Sequence, residues 1–548
     1  MLGHMTLCLL LLSEMGGAVS SFAAPSPGYA DAQPVGEQTP TVAEILADAR
    51  QAVDTMDTRF FEFDKISLLL RIARAYALHG DENSVNTTLQ HATEIANSSL
   101  NIANNLLMIA RTAAQLGYHD SARRALEHAT DINMKVEGKN GFGMFISVIN
   151  AYADDLDDLH SANTIFRRVT RPCLFGWLSE LWDWWQHRDA PGTRYPMTNR
   201  CDDYKANQVS VLIRHRNIKD ALRIARSISE SGRRQRAYVT IVQADDDSIG
   251  REKIAKRFLD DSYREVAFSQ LAASAALRNL KEGNIEEALR IADTIENGNI
   301  VGSVYPQIAG AQARKEEWRH AKTTLQRALD AANRSNAHYR NLEYLPAIAG
   351  GFANLGEMES ALQAANSILD EQYESYRVYR DDALGRIAKA LARKGDIEGA
   401  LRFVYENITE KWYLRTTLRS IIVEQARRGD IFGASKTLAR NADRLDRSEK
   451  ALTLIGIALA HATAGNWADS RKAFEEVPGF PGSNHVLVPD GLEELAKLHS
   501  DAGKINDIVQ WTILRESPLL KSHALVGLAE GLLPRNAESL ESSMLDQL

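Results

Sequence analysis

The chain has 548 residues, 44% of them hydrophobic and 25% charged, with 64 Lys and Arg set against 72 Asp and Glu. This is long for one compact globule, and the composition is that of an ordinary soluble protein. A formal charge of −8 gives no basis for nucleic acid as the main partner, and no stretch has the roughly 18 consecutive apolar residues of a spanning helix.

The N-terminal run Leu7 to Leu12 is apolar and short. Small residues follow, with an A-x-A site at Ala30 to Ala32 and an earlier option at Ser21 to Ala23. Residues 1–32 therefore read as a secretory signal, and the protein is expected to be periplasmic or secreted. The lack of Lys or Arg before the run, and Glu14 after it, leave a disordered leader as the alternative. With residues 1–32 removed, Cys173 and Cys201 are the only thiols, which points to one disulfide in an exported chain. Two unrelated buried thiols are the other reading. Residues 33–40 form a polar linker.

A capping helix is expected over residues 41–56. From there one phrase keeps returning: "AQLGYHDSARRAL" from Ala114, "LKEGNIEEALRIA" from Leu280, "ANLGEMESALQAA" from Ala353, "LARKGDIEGAL" from Leu391 and "ARRGDIFGASKTL" from Ala426. Aligned on the turn, a small residue sits seven places before it and an alanine five after: Ala388, Gly395 and Ala400 set the frame. Clear copies are Ala110/Gly117/Ala122, Ala276/Gly283/Ala288, Ala309/Glu316/Ala321 and Ala349/Gly356/Ala361. Gly80, Gly429, Gly465 and Gly503 fit with relaxed alanines, and weaker copies centre on Asp157, Arg216 and Gly250. These twelve turns are 33 to 40 residues apart, except for one spacing of 59 between Asp157 and Arg216.

Each unit predicts two helices. Ala383, Leu384, Ile387, Ala388 and Leu391 form one apolar stripe; Ile397, Ala400, Leu401, Val404 and Ile408 form the next. Gly395 suits the left-handed end of the first helix, and Asp396 the cap of the second. Such a pair cannot bury its apolar face alone, so the units must stack. The frame resembles the tetratricopeptide repeat (TPR) over about residues 60 to 515. The resemblance implies an all-α, right-handed solenoid of about twelve antiparallel helix pairs, with its first helices lining a concave groove. Residues 41–170 and 206–533 hold the repeats with their capping helices, the last expected at 518–533, and residues 534–548 a frayed tail.

The long spacing is filled by a Trp-rich insertion, residues 171–205. Trp177, Trp182, Trp184 and Trp185 lie in it, bracketed by Cys173 and Cys201. It reads as an amphipathic helix packed on the solenoid, with a docking surface or membrane-contact element as the alternative.

No catalytic constellation stands out. There is no H-E-x-x-H, no Cys/His pair at zinc spacing, no G-x-S-x-G, no Walker loop and no G-x-G-x-x-G. The run holding Asp245, Asp247 and Gly250 has Lys256 where a calcium loop needs Glu. "ADDLDDL" (Ala153 to Leu159) reads as a solvated turn. No enzyme activity, cofactor or metal is expected. Under the resemblance, the places two and six residues before each turn face the groove. Arg314, Arg393 and Arg427 hold the first, with Arg214 and Lys281; Arg74, Arg111 and Lys389 hold the second, with Lys497. A basic ladder of this kind suits an acidic protein or peptide partner, and, as an alternative, an anionic cell-envelope polysaccharide. For the residues two before the turn, simple compensation of the helix macrodipole is the competing explanation. The expected function is that of an exported, non-enzymatic scaffold or adaptor, with nucleic acid excluded.

Overall fold

The computed structural model describes residues 40–99, 101–135, 141–170, 197–244, 248–334, 344–368, 374–477, 487–513 and 517–533. Among them every regular element is helical and there is no strand. No described helix is long and apolar enough to cross a membrane. The first helix is α1 (Val42–Asp54). Hairpins follow: α2 (Thr58–His79) with α3 (Glu82–Asn97), α4 (Ile102–Gln115) with α5 (His119–Lys135), and α6 (Gly141–Asn150) with α7 (Leu159–Thr170). Next come α8 (Met197–Arg214) with α9 (Ile218–Arg226), α10 (Ser231–Ala244) with α11 (Ser248–Phe258), and α12 (Asp261–Lys281) with α13 (Ile285–Ala292). The series continues with α14 (Gly298–Arg314) and α15 (Trp318–Arg334), α16 (Leu345–Leu355) and α17 (Met358–Asn366), and α18 (Glu374–Arg393) and α19 (Ile397–Asn407). It ends with α20 (Lys411–Arg427) and α21 (Ile431–Asn441), α22 (Arg447–Thr463) and α23 (Trp467–Glu475), α24 (Leu487–Asp501) and α25 (Ile505–Ile513), and a last helix α26 (Pro518–Leu532).

The repeat frame maps onto these hairpins. Eleven of the twelve expected turn residues have positive φ, including the three that are not glycine, Asp157, Arg216 and Glu316. The exception is Gly250, which lies in the first turn of α11 rather than between helices. Position in the frame outranks residue type here: the hairpin needs a left-handed residue, and glycine supplies it most cheaply. Second helices are capped as expected. The carboxylates of Asp396 and Asp430 each accept from a backbone N–H three residues on, at 2.9 Å. The alanines of the frame, such as Ala276, Ala288, Ala388 and Ala400, are fully buried where the two helices cross.

Units are also tied to one another by polar side chains at an equivalent place on three first helices. Asp202 is buried and accepts from the backbone N–H groups of Ser229 and Glu230; Asp381 does the same for Thr409 and Glu410. The hydroxyl of Ser269 accepts from the N–H of Asn297. Each thereby satisfies donors at the entrance to the next unit's first helix.

The two terminal helices, expected as separate caps, pack on each other. α26 lies against α24, α1 and α2. Ile45, Leu46, Ala49 and Val53 of α1 and Leu520, Ala524, Leu525, Leu528 and Ala529 of α26 are buried in one continuous apolar cluster that spans both ends of the chain. α1 occupies the place of a second helix beside α26, so the thirteenth hairpin is assembled from the two ends, and the solenoid is closed into a ring.

Even-numbered helices touch the next even-numbered helix through most of the circuit, α26 meeting α2 at closure; among the described residues no comparable packing joins successive odd-numbered helices. The even helices are therefore the inner layer, where the circumference is shorter. Thirteen of them at ordinary interhelical spacing leave a central opening on the order of 20–30 Å.

The end of the Trp-rich insertion differs from expectation. α8 starts at Met197 and packs directly on α6 and α7. Cys201, Asp202 and Tyr204 are buried within the fourth hairpin, so residues 197–205 belong to the ring. Cys201 is disulfide-bonded. Cys173, Trp177, Trp182, Trp184 and Trp185 lie outside the described residues, as do residues 1–39 and 534–548.

Closure makes two predictions for solution. Ending the chain after residue 516 should raise the radius of gyration in X-ray scattering, because the open solenoid extends; an unchanged radius would contradict the ring. Leu46→Ala should lower stability by about 2–5 kcal/mol in chemical denaturation, as for other buried leucines.

Candidate inner-wall binding site and the closure seam

Each even-numbered helix is covered by its two even neighbours and by its own odd partner. What remains exposed is a stripe facing the opening. On α12 it is Gln270, Ser274, Arg278 and Lys281; on α14, Gln307 and Arg314; on α18, Arg386 and Arg393; on α20, Arg427. The two ladder positions do fall on the inner layer, but the ladder divides into two halves with different surroundings.

In the first half the cations are taken up by the adjacent unit. Arg74 donates to Thr112 Oγ1 at 3.3 Å and to Gln115 Oε1 at 3.1 Å. Arg111 lies 3.4 Å from Asp155, and Arg214 forks onto Asp154 at 2.9 and 2.7 Å. Both acids sit in a π-helical turn, Ala151–Asp155, that extends α6. "ADDLDDL", read from sequence as a solvated turn, is thus an acidic bridge between a cation on each side. Burial nevertheless raises the Asp155 carboxyl, with Arg111 opposing it.

In the second half the cations are exposed. Lys281, Arg314 and Arg427 make no hydrogen bond or ion pair among the described residues. Arg393 is exposed beside them, and Lys389 is half-buried, close enough to Glu449 to act on its carboxyl. Arg278 was not singled out by the frame; it belongs to the exposed stripe only once the helix face is known.

A dense group of titratable residues lies at the closure seam. Arg71 of α2 forks onto Glu493 of α24 and bonds Glu530 of α26 at 2.6 Å. Lys497 lies 2.8 Å from Glu530 and 3.6 Å from Glu493, and His523 Nδ1 is 3.3 Å from Glu493. Burial opposes ionisation of Glu493, but Arg71, His523 and Lys497 hold it well below the usual carboxylate range. Asp490 and Asp64 are pushed up, in both cases chiefly by burial; Glu493 adds to this at Asp490, while His523 opposes it at both. Ligand atoms of Asp490, Glu493 and His523 lie within 4.8 Å of one another. With Arg71 already on Glu493 and Lys497 beside it, this group is an ion-pair network that fastens the ring; an added cation would meet two positive charges.

No protein-family model matches the chain, and no curated protein does either. Solved structures do. The pentatricopeptide repeat protein PPR10 from maize is similar over 91% of this chain and 87% of its own, at 12% identity and a TM-score of 0.25. Human IFIT1, solved as a dimer with PPP-AAAA, is similar over 88% of this chain and 99% of its own, at 15% identity and a TM-score of 0.24. The P58(IPK) TPR domain matches 73% of this chain and 99% of its own, at 14% identity and a TM-score of 0.16.

The chain is a helical-repeat protein with TPR-like hairpins. That statement rests on its own hairpins; likenesses at such scores carry nothing about its ligand. PPR10 has also been solved in complex with an 18-nt psaJ RNA element. The exclusion drawn from the net charge of −8 is withdrawn. A whole-chain average says nothing about one arc of the wall, and on one arc Lys281, Arg314 and Arg427 have no counter-charge among the described residues.

The seam sets a pH prediction. A carboxyl whose pKa is raised in the folded state favours the neutral form, so ionised Asp490 weakens the fold at neutral pH and the penalty fades as pH falls through its raised pKa. Asp490→Asn should raise the melting temperature at pH 7 and lose that advantage in acid; a lower melting temperature at pH 7 would contradict the assignment. Arg71→Ala should act in the opposite sense, by about 3–5 kcal/mol, because it removes the bidentate partner of Glu493 and leaves Lys497 to serve two carboxylates.

Proposed function

We propose that the protein is a non-enzymatic, ring-shaped scaffold that takes an acidic segment of a partner protein against the inner wall from α12 to α20. The observation that carries this is the arc of exposed Lys281, Arg314 and Arg427 on the inner layer, unpaired among the described residues, in a chain where Arg111 and Arg214 at the same ladder positions are held by acids of neighbouring units. Guanidinium and ammonium groups held on a fixed wall attract carboxylates with little ordering cost. Compensation of helix dipoles would also place cations in these last turns, and it predicts a stability role with no effect on binding.

We further place the protein in an oxidising compartment, periplasmic or extracellular. The leader-like residues 1–32 and the disulfide at Cys201 support this reading.

The triple variant Lys281→Ala, Arg314→Ala, Arg427→Ala is the test. A labelled Glu-rich peptide should bind the full chain in a salt-dependent manner by fluorescence anisotropy. The variant should lose about tenfold in affinity and much of the salt dependence, at an unchanged melting temperature. If the peptide fails to bind while an RNA oligonucleotide of equal length does, the acidic-protein reading falls. For the compartment, protein prepared without reductant and then denatured should show no reactive thiol at Cys201; a reactive one contradicts export to an oxidising space.

A further inference from the structure

A half-open cavity of about 850 Å³ lies where α10, α11, α12 and α14 meet. Its volume falls within the range of about 300–1,000 Å³ usual for small-molecule sites. Two cations reach it, Arg251 from the start of α11 and Arg278 from the exposed stripe of α12. Neither makes a hydrogen bond or ion pair among the described residues, although guanidinium groups on a cavity wall ordinarily find an acid. Two amides stand beside them. Gln243 Nε2 donates to Gln270 Oε1, which leaves the Gln270 amide N–H groups and the Gln243 carbonyl for a guest. Ser274 is exposed and adds a hydroxyl. The remaining wall is apolar, with Leu271, Leu277 and Ile300, and Tyr344 stands at one edge. Gly302 leaves space for that ring: a Cβ there would come within 3.1 Å of it.

We infer that this cavity is a binding site for a small acidic carbohydrate, one or two sugar rings bearing a carboxylate. Two guanidinium forks with no partner among the described residues match a carboxylate better than any neutral guest. Amide and hydroxyl groups that both donate and accept match ring hydroxyls, and the apolar wall with Tyr344 suits the C–H faces of a sugar. An isolated phosphate would fill little of the volume and use neither the amides nor the apolar wall. The site shares the α12 stripe with the protein-binding arc but uses none of Lys281, Arg314 and Arg427, so its test is independent of theirs.

Calorimetric titration of the full chain with digalacturonate tests this, with maltose as the neutral control and inorganic phosphate as the bare anion. Digalacturonate should bind, and maltose and phosphate should bind at least tenfold more weakly. Arg278→Gln and Arg251→Gln should each weaken digalacturonate by about tenfold or more, as loss of a charge-assisted hydrogen bond implies, with an unchanged circular dichroism spectrum. Equal affinity for maltose overturns the acidic class. Equal affinity for phosphate overturns the sugar. No binding of digalacturonate, or full affinity in both folded variants, overturns the site. Should either variant fail to fold, the selectivity of the unaltered chain decides.

Discussion

A stack of helical hairpins has two raw ends, and each end exposes an apolar face that no local contact can cover. This chain covers both by building one hairpin from α1 and α26, its two extremes. The rest of the molecule depends on that contact. It makes the apolar core continuous between the first units and the last, and it puts thirteen inner helices on a closed circuit instead of an open superhelix. Tight approach within the same region supports it: a Cβ on Gly527 of α26 would lie 2.5 Å from the backbone carbonyl oxygen of Glu493 on α24, so only glycine lets these helices come this close.

Closure also fixes the electrostatics of the seam. Bringing α2, α24 and α26 together crowds Asp64, Asp490, Glu493 and Glu530 around Arg71 and Lys497, with His523 between them. The bidentate Arg71 is what makes this tolerable, because it satisfies two carboxylates from two helices at once. Asp490 is the residue left least satisfied. Protonation of Asp490 in mild acid removes an unfavourable buried charge from the seam, as protonation of Asp155 does on the first arc.

The repeat was legible because a hairpin needs the same things each time: a left-handed turn, small residues at the crossing and an apolar stripe on each helix. Even Asp157, Arg216 and Glu316 could be placed by the frame despite having the wrong residue type for the turn. Closure was not legible. Arg71 and Glu530 are 459 residues apart, and neither α1 nor α26 carries a local signal that distinguishes a cap from a closing hairpin. The insertion boundary was placed too late for a similar reason, since Cys201 to Tyr204 look like the end of an irregular segment until Asp202 is seen to accept from the next unit's backbone. The basic ladder was visible in position but not in charge state. Which cation is free depends on whether the neighbouring unit offers an acid, as Asp154 and Asp155 do for Arg214 and Arg111 and as no described residue does for Arg314.

The division of that ladder follows from the ring itself. Closure couples the inner helices, because displacement of one unit must be absorbed by the others. A wall of this kind selects by the charges it already displays. On the arc from α2 to α8 those charges are spent in ties between units, which hold the wall rigid. On the arc from α12 to α20 they face the opening, and the cavity at Arg251 and Arg278 lies at the boundary between the two. Ties between units on one side and free charge on the other are therefore two uses of the same repeated positions, set by whether a neighbouring unit supplies a partner.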